Sequence, residues 1–313
     1  MEIIGHEDIT NLNLNPADMW DWVDDALRHK QGMLMPAKIS IHEDGGERFW
    51  NTMPIVMPEY GIAGVKLVNR FPDREPALDS KILLYSTETG KPTALLDGNY
   101  ITAMRTGAVA IHSADVLGVA GYTRVAMVGL GNTMRAAAAV LARKHPDRDF
   151  DVRLVKYKDQ HLVFADRFAD EKNLHFTYYD SLEEAVDGAE IVLSAVTVFH
   201  DDAIAPEAFG LGTTLIPIHT RGFMQCDLVF DRVYGDETSQ VEHFKYFDRF
   251  RNYAEVAQVL TGEALGRSSD EERILVYNIG IVAHDFYFAH EILKRINGAP
   301  QIQLSEPEGK FWV

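Results

Sequence analysis

The twenty residues "VAMVGLGNTMRAAAAVLARK", Val125–Lys144, decide how this chain is read. An apolar run ends at Val128, Gly129-Leu130-Gly131 follows, and an alanine-rich segment of helical composition begins at Asn132. Strand, glycine turn and helix, in that order, are what a dinucleotide site requires. The first glycine permits a tight turn and the second lets the backbone approach a pyrophosphate. The helix N-terminus then presents free N–H groups and the positive end of its dipole. Met134 stands where a third small residue is usual, so the loop alone also fits a strand–helix turn that holds no ligand.

Outward from this loop, strand and helix patterns alternate from residue 123 to about 290. The strand patterns are "RVAMVGL", "DFDVRLVKY", "NLHFTYY", "AEIVLSAVT", "TTLIPIH" and "LVFDRVYG", with "QHLVFADRFADE" and "SLEEAVDGA" among the helical ones. Such alternation predicts a parallel sheet with covering helices. Residues 1–112 are mixed. "NPADMWDWVDDALRHKQ" predicts a helix capped by Asn15 with Pro16 at its first position. Strand-like runs follow, and "ETGKPTALLDG" reads as a hairpin turn with its returning strand. "EERILVYNIGIVAHDFYFAHEILKRI" reads as one long apolar tail helix. The fold class is therefore α/β, with a Rossmann-type parallel sheet over 113–290. An α+β domain is formed by 1–112 with about 291–313.

Composition narrows the partners. At 313 residues the chain suits two domains, and 46% apolar with 25% charged residues is globular composition. A net charge of −17 argues against nucleic acid and anionic membranes, though basic residues gathered in a cleft still suit an anionic substrate. Cys226 is the sole cysteine, which excludes an internal disulfide. No signal peptide and no apolar window of about 18 residues is visible, so a cytoplasmic protein is expected. No metal site is expected either. His42, Glu43 and Asp44 with Gly45-Gly46 read as a polar turn, and His200-Asp201-Asp202 as a loop.

The end of the second strand of a dinucleotide fold chooses the cofactor, an acid suiting the ribose diol and a base the 2′-phosphate. Here it reads "LVKYKD", with Lys156 and Lys158 before Asp159. NAD(P) is expected, with a lean towards NADP; lysines that are merely solvated are the alternative.

"GVKLVNRFP" (64–72), "ETGKPTALLDGNYITAMRTGAVA" (88–110), the glycine loop, "SLEEAVDGAEIVLSAVT" and "TGEALGRSSDEERILVYNIGIVAHD" together resemble the ornithine cyclodeaminase/mu-crystallin family. The likeness covers most of the chain in order. It implies a substrate and dimerisation domain followed by a Rossmann domain, a homodimer, and an active site in the cleft between the domains. The implied chemistry is hydride transfer between nicotinamide and the α-carbon of an amino or imino acid.

By that resemblance, Lys66 and Arg105 contact the substrate carboxylate, Arg105 through a planar fork suited to bidentate binding. A structural ion pair is the alternative for Arg105. Lys38 falls where many members carry an arginine. Thr102, Thr106, Asn132 and Thr133 lie near the cofactor, and Thr197 where the nicotinamide ribose passes. Cyclodeaminases carry an aspartate after the strand equivalent to "TLIPI", and His219 occupies that position here. This puts ornithine deamination in doubt and makes His219, with Lys66, a candidate acid/base. Arg221 is a candidate additional anion clamp; a histidine simply packed at a strand end is the alternative for His219. The expected activity is an imine reductase or amino-acid dehydrogenase. The alternatives are a true cyclodeaminase and a non-catalytic, NADP-dependent ligand carrier.

Overall fold

The computed structural model describes residues 1–313 apart from 44, 46, 198, 220, 306–308 and 311–313. Asp44 and Gly46 of the polar-turn reading therefore lie outside the described residues. The chain divides into two units, Met1–Asn13 with Gly32–Ile101 and Ala289–Val313, and Leu14–Gln31 with Thr102–Phe288.

In the first unit, β1 (Glu2–Ile4) precedes α1 (His6–Thr10). The strands β2 (Ile39–Glu43), β3 (Arg48–Met57), β4 (Ile62–Arg70), β5 (Leu78–Ser86) and β6 (Pro92–Asp97) then complete a six-stranded sheet. Its order is β1-β6-β5-β4-β3-β2, antiparallel except for the β1–β6 pair. His42 and Glu43 end β2 rather than forming the turn expected of them. Side chains alternate across the pleat. Met53, Lys66 and Ile82 stand in register on the buried face, as do Ile55 and Leu84. Ile39, Ile41, Trp50 and Leu67 are exposed on the other face.

Helix α2 (Pro16–Arg28) belongs to the second unit, as does nearly all of α3 (Asn99–Leu117), so the division differs from the boundary read in sequence. The Asn15 side chain accepts from the Ala17 N–H and Pro16 is the first helical residue, as the capping pattern predicts. What draws α2 and α3 inwards is non-local. Trp20 donates to Asp115 at 2.8 Å, and His112 Nε2 lies 3.0 Å from Asp24. Lys144 pairs with Asp21 at 2.7 Å.

The parallel sheet starts with β7 (Arg124–Val128), α4 (Asn132–Lys144), β8 (Phe150–Val155), α5 (Gln160–Arg167), β9 (Leu174–Tyr179) and α6 (Leu182–Val186). It continues with β10 (Ile191–Ser194), β11 (Thr214–Pro217), β12 (Arg232–Gly235), α7 (Thr238–Val241), β13 (Ala254–Glu255) and α8 (Val256–Leu260). β14 (Ile274–Tyr277) and α9 (Val282–Leu293) follow. The order β13-β12-β14-β11-β10-β7-β8-β9 reverses direction between β7 and β10, which is where such folds bind nucleotides. The tail is thus not one helix. "ILVY" forms β14, buried between β11 and β12, and the helix begins only at Val282. A four-residue apolar run does not distinguish a fully buried strand from a helix until its neighbours are known. Gly280, at φ +88°, marks the break.

Candidate functional site

Gly129 adopts φ +82°, and a Cβ there would stand 2.7 Å from the backbone of Ala195 and Val196. This glycine lets the β7 turn lie against the chain leaving β10. Gly131 differs: its φ of −77° suits any residue, and a Cβ there would meet no atom within 4 Å. It is the N-cap of α4 and supplies no side-chain cap, so the first N–H groups of the helix, at the exposed Asn132 and half-buried Thr133, are left uncapped by it. An uncapped helix N-terminus with room beside Gly131 fits a pyrophosphate. Met134 is fully buried, and close helix packing comes from elsewhere. A Cβ on Gly107 of α3 would stand 2.4 Å from the Ala137 nitrogen, so the glycine of "RTGA" lets α3 cross the alanine-rich α4. Arg135 was not singled out by the sequence. It lies in the first turn of α4, with Nε buried and without a hydrogen-bond partner among the described residues.

Arg105 is buried in α3, and its Nε donates to Asp285 at 3.1 Å. Among the described residues Nη1 and Nη2 make no hydrogen bond. The guanidinium lies over Gly280, where a Cβ would come within 2.3 Å of Nη1. Gly280 is held in turn: its N–H donates to Asp236 at 2.7 Å, and Asn278 donates to the other Asp236 oxygen at 2.9 Å. Burial pushes the Asp236 carboxyl up, against the pull of these bonds and of the positive charges of Arg105 and Lys30. Lys30, itself buried, bonds Glu237 at 2.7 Å and Glu255 at 2.5 Å. His284, next to Asp285, is fully buried with no partner on either ring nitrogen among the described residues. Burial first, then the Arg105 charge, holds it well below the usual histidine range, so it is neutral.

His219 follows β11, and its Nε2 lies 2.8 Å from Oγ of Ser194, the fully buried last residue of β10. Phe199 and Phe223 flank the ring, with centroids at 5.6 and 5.9 Å. Burial lowers its pKa, partly offset by the backbone at Arg221, and this keeps the imidazole neutral near pH 7. Because Ser194 pairs in register with Val128, the Ser194–His219 contact sits at the same sheet edge as the glycine turn. Ser194 carried no signal in the sequence; only the pairing of β10 with β11 reveals it.

The remaining expected residues fall as follows. Lys66 lies on the buried face of β4, only 1% exposed, and Lys38 is half-buried just before β2; both belong to the first unit. Thr102 is within α3, and the Thr106 hydroxyl donates to its carbonyl at 2.6 Å, so that proton serves the helix itself. Lys156 and Lys158 are exposed after β8, with Lys156 paired to Asp180 at 2.9 Å. Thr197 is exposed beyond β10. Arg221 lines a cavity of about 590 Å³ together with His200, Asp227, His243 and Lys245. Asp227 is buried and accepts from the Tyr277 hydroxyl at 2.7 Å. Burial pushes its carboxyl up to about 7 despite that bond, and the Asp202 charge adds to the rise. Among the described residues no group of three or more His, Cys, Asp or Glu could hold a metal ion. No helix among them is long and apolar enough to cross a membrane.

A parallel sheet that reverses at a glycine turn, with an uncapped helix N-terminus directly after it, defines a Rossmann-type dinucleotide fold. The chain belongs to the ornithine cyclodeaminase/mu-crystallin family, whose model matches residues 3–299. It is 25% identical over 295 residues to the nodulation efficiency protein NfeD of Rhizobium meliloti, covering 90% of this chain and 91% of that one. With the Δ1-pyrroline-2-carboxylate reductase of Bacillus cereus the identity is 24% over 265 residues, 78% of this chain and 80% of the relative. In fold it matches the Thermococcus litoralis Δ1-pyrroline-2-carboxylate reductase in complex with NADH and L-proline. The TM-score is 0.82 at 18% identity, covering 94% of this chain and 97% of that one. An archaeal alanine dehydrogenase dimer with bound NAD gives 0.84 at 21% identity, covering 97% and 99%. Relatives in this family are reductases, dehydrogenases and cyclodeaminases, which supports an enzyme.

Proposed function

We propose that this protein is an NAD(P)-dependent oxidoreductase acting at the α-carbon of an amino or imino acid, as a ketimine reductase or amino-acid dehydrogenase. The observation that carries this reading is the state of Arg105. Its Nε is anchored on Asp285, which leaves the terminal nitrogens of the fork for a carboxylate. Lys66, assigned to the carboxylate by the family resemblance, supplies a second cation. Gly131, Asn132, Thr133 and Arg135 take the dinucleotide phosphates, Thr102 and Thr106 stand near them, and Thr197 takes the ribose. Lys156 and Lys158 favour a 2′-phosphate, hence NADP. The nicotinamide, when bound, supplies or accepts the hydride. His219, neutral and oriented by Ser194, manages the proton at nitrogen, with Lys66 as the other candidate.

A true cyclodeaminase is the runner-up. A buried neutral imidazole does not hold a substrate ammonium as a carboxylate does, which places the reductase first. A ligand carrier without catalysis is the third reading. The exposed apolar face of Ile39, Ile41, Trp50 and Leu67 suits a homodimer of a cytoplasmic enzyme, since monomers seldom leave such a patch uncovered. Purified protein offered cyclic ketimines, and 2-oxo acids with amines, should consume NADPH or NADH. No consumption across such a panel refutes the oxidoreductase. Ammonia released from ornithine, lysine or diaminobutyrate without added reductant would instead establish the cyclodeaminase.

A further inference from the structure

The cavity beside Arg221 lies within the second unit, at the carboxyl end of the parallel strands. Its basic residues come from three separate stretches of chain: His200 after β10, Arg221 after β11, and His243 with Lys245 after α7. In a chain of net charge −17, Arg221 and Lys245 bring two positive charges to one cleft, of the kind that draws an anion, with Glu242 3.9 Å from His243 beside them. Asp227 forms part of the wall, and Asp202 is close enough to act on it. Burial raises the Asp227 carboxyl to about 7, so near neutral pH it carries less than a full opposing charge.

Two contacts tie this cavity to the candidate catalytic groups. Phe199, adjacent to His200, packs its ring on His219, and Arg221 is two residues beyond that histidine. On the other side, Phe244 of the cavity wall meets Tyr277 at 4.9 Å, and Tyr277 bonds Asp227. Three residues further along, Gly280 lies under the Arg105 guanidinium. The basic cavity thus adjoins His219 through Phe199 and Arg221.

We propose that this cavity receives an anionic group of the substrate itself, so that the protein acts on amino or imino acids bearing a second carboxylate remote from the reacting carbon. The inference rests on the oxidoreductase reading and adds the substrate class. Arg105 holds the α-carboxylate, His219 faces the reacting centre, and Arg221 with Lys245 holds the distal carboxylate. His200 and His243 add ring nitrogens as hydrogen-bond donors.

The test uses the whole protein with NADH or NADPH and ammonia, comparing 2-oxoglutarate and oxaloacetate with pyruvate and 2-oxobutyrate. The dicarboxylic acids should be favoured in kcat/KM by about tenfold or more, the scale of one charge-assisted contact. Lys245→Ala and His243→Gln, both at exposed positions, should bring that ratio towards one. If wild-type protein reduces the monocarboxylic imines equally well, the substrate class is wrong while the oxidoreductase stands. If nothing is turned over, calorimetry with glutarate and butyrate decides. Glutarate binding that Lys245→Ala abolishes upholds the anion site even as the oxidoreductase reading fails, and equal or absent binding overturns it. Inorganic phosphate that binds as tightly as glutarate would show a site for free anions and overturn the assignment to the substrate.

Discussion

Ser194 and His219 meet at 2.8 Å across the adjoining ends of β10 and β11, one strand over from the glycine turn. Burial keeps His219 neutral. With His219 as the proposed base of amine oxidation, kcat/KM should be level above the usual histidine pKa and fall as pH drops through the lowered one. His219→Asn should lose this acid limb and about a hundredfold or more in kcat. Ser194→Ala should lower kcat with little change in KM, partly restored in Ser194→Thr. A pH profile of His219→Asn identical to wild type would remove the histidine from catalysis.

Arg105 separates charge from geometry. Arg105→Ala would leave Asp285 buried without this partner and is expected to destabilise the fold by about 3–5 kcal/mol. Arg105→Lys keeps the charge but loses the fork, so KM for the imino acid should rise about tenfold with cofactor affinity little altered. Steady-state kinetics beside NADH fluorescence titration distinguish the two effects; an unchanged KM refutes the clamp.

The two glycines of the helix pair should respond oppositely. Gly107→Ala forces a Cβ to 2.4 Å from the backbone of α4 and should cost about 1–3 kcal/mol, seen as a lower Tm. Gly131→Ala meets nothing in the chain and should leave Tm unaltered while weakening NAD(P)H binding by about tenfold, as the methyl enters the space meant for phosphate. Full affinity in Gly131→Ala would show that no dinucleotide passes there.

Asp227 predicts how stability varies with pH. Below 3.8 its carboxyl is protonated in folded and unfolded chains alike. As pH climbs from there to about 7, only the unfolded chain loses its proton, so stability falls until the folded group ionises as well. The loss is up to about 4 kcal/mol. Asp227→Asn should show a smaller decline between pH 5 and pH 8 in denaturant titrations, and parallel curves would contradict the raised pKa.

Replacing Lys156 and Lys158 with alanine should reduce the preference for NADPH over NADH. Lys156 already holds Asp180, so Lys158 should contribute the larger share. A ratio of the two KM values that does not move ends the case for NADP.

The elements legible in the sequence were those whose signals are local. Helix α4 spans Asn132–Lys144 as the glycine turn and alanine run predict, and α2 starts at Pro16 behind its Asn15 cap. The tail departs from one long helix because "ILVY" is too short to declare a period, and β14 owes its conformation to β11 and β12 on either side. The assignment of α2 to the second unit rests on Trp20 with Asp115 and Lys144 with Asp21, pairs about a hundred residues apart in sequence.

The sequence by itself determined the family, the Rossmann-type sheet and the glycine loop, because strand, turn and helix signals operate over a few neighbouring residues. Tertiary structure alone decided the environments on which chemistry depends. Asp285 anchors Arg105 from 180 residues away, Gly280 makes room for its guanidinium, and Ser194 orients His219. Burial then sets which of His219, His284 and Asp227 carries a proton. Desolvation and hydrogen-bond partners arise from surfaces brought together only by folding, so no stretch of sequence read alone contains them.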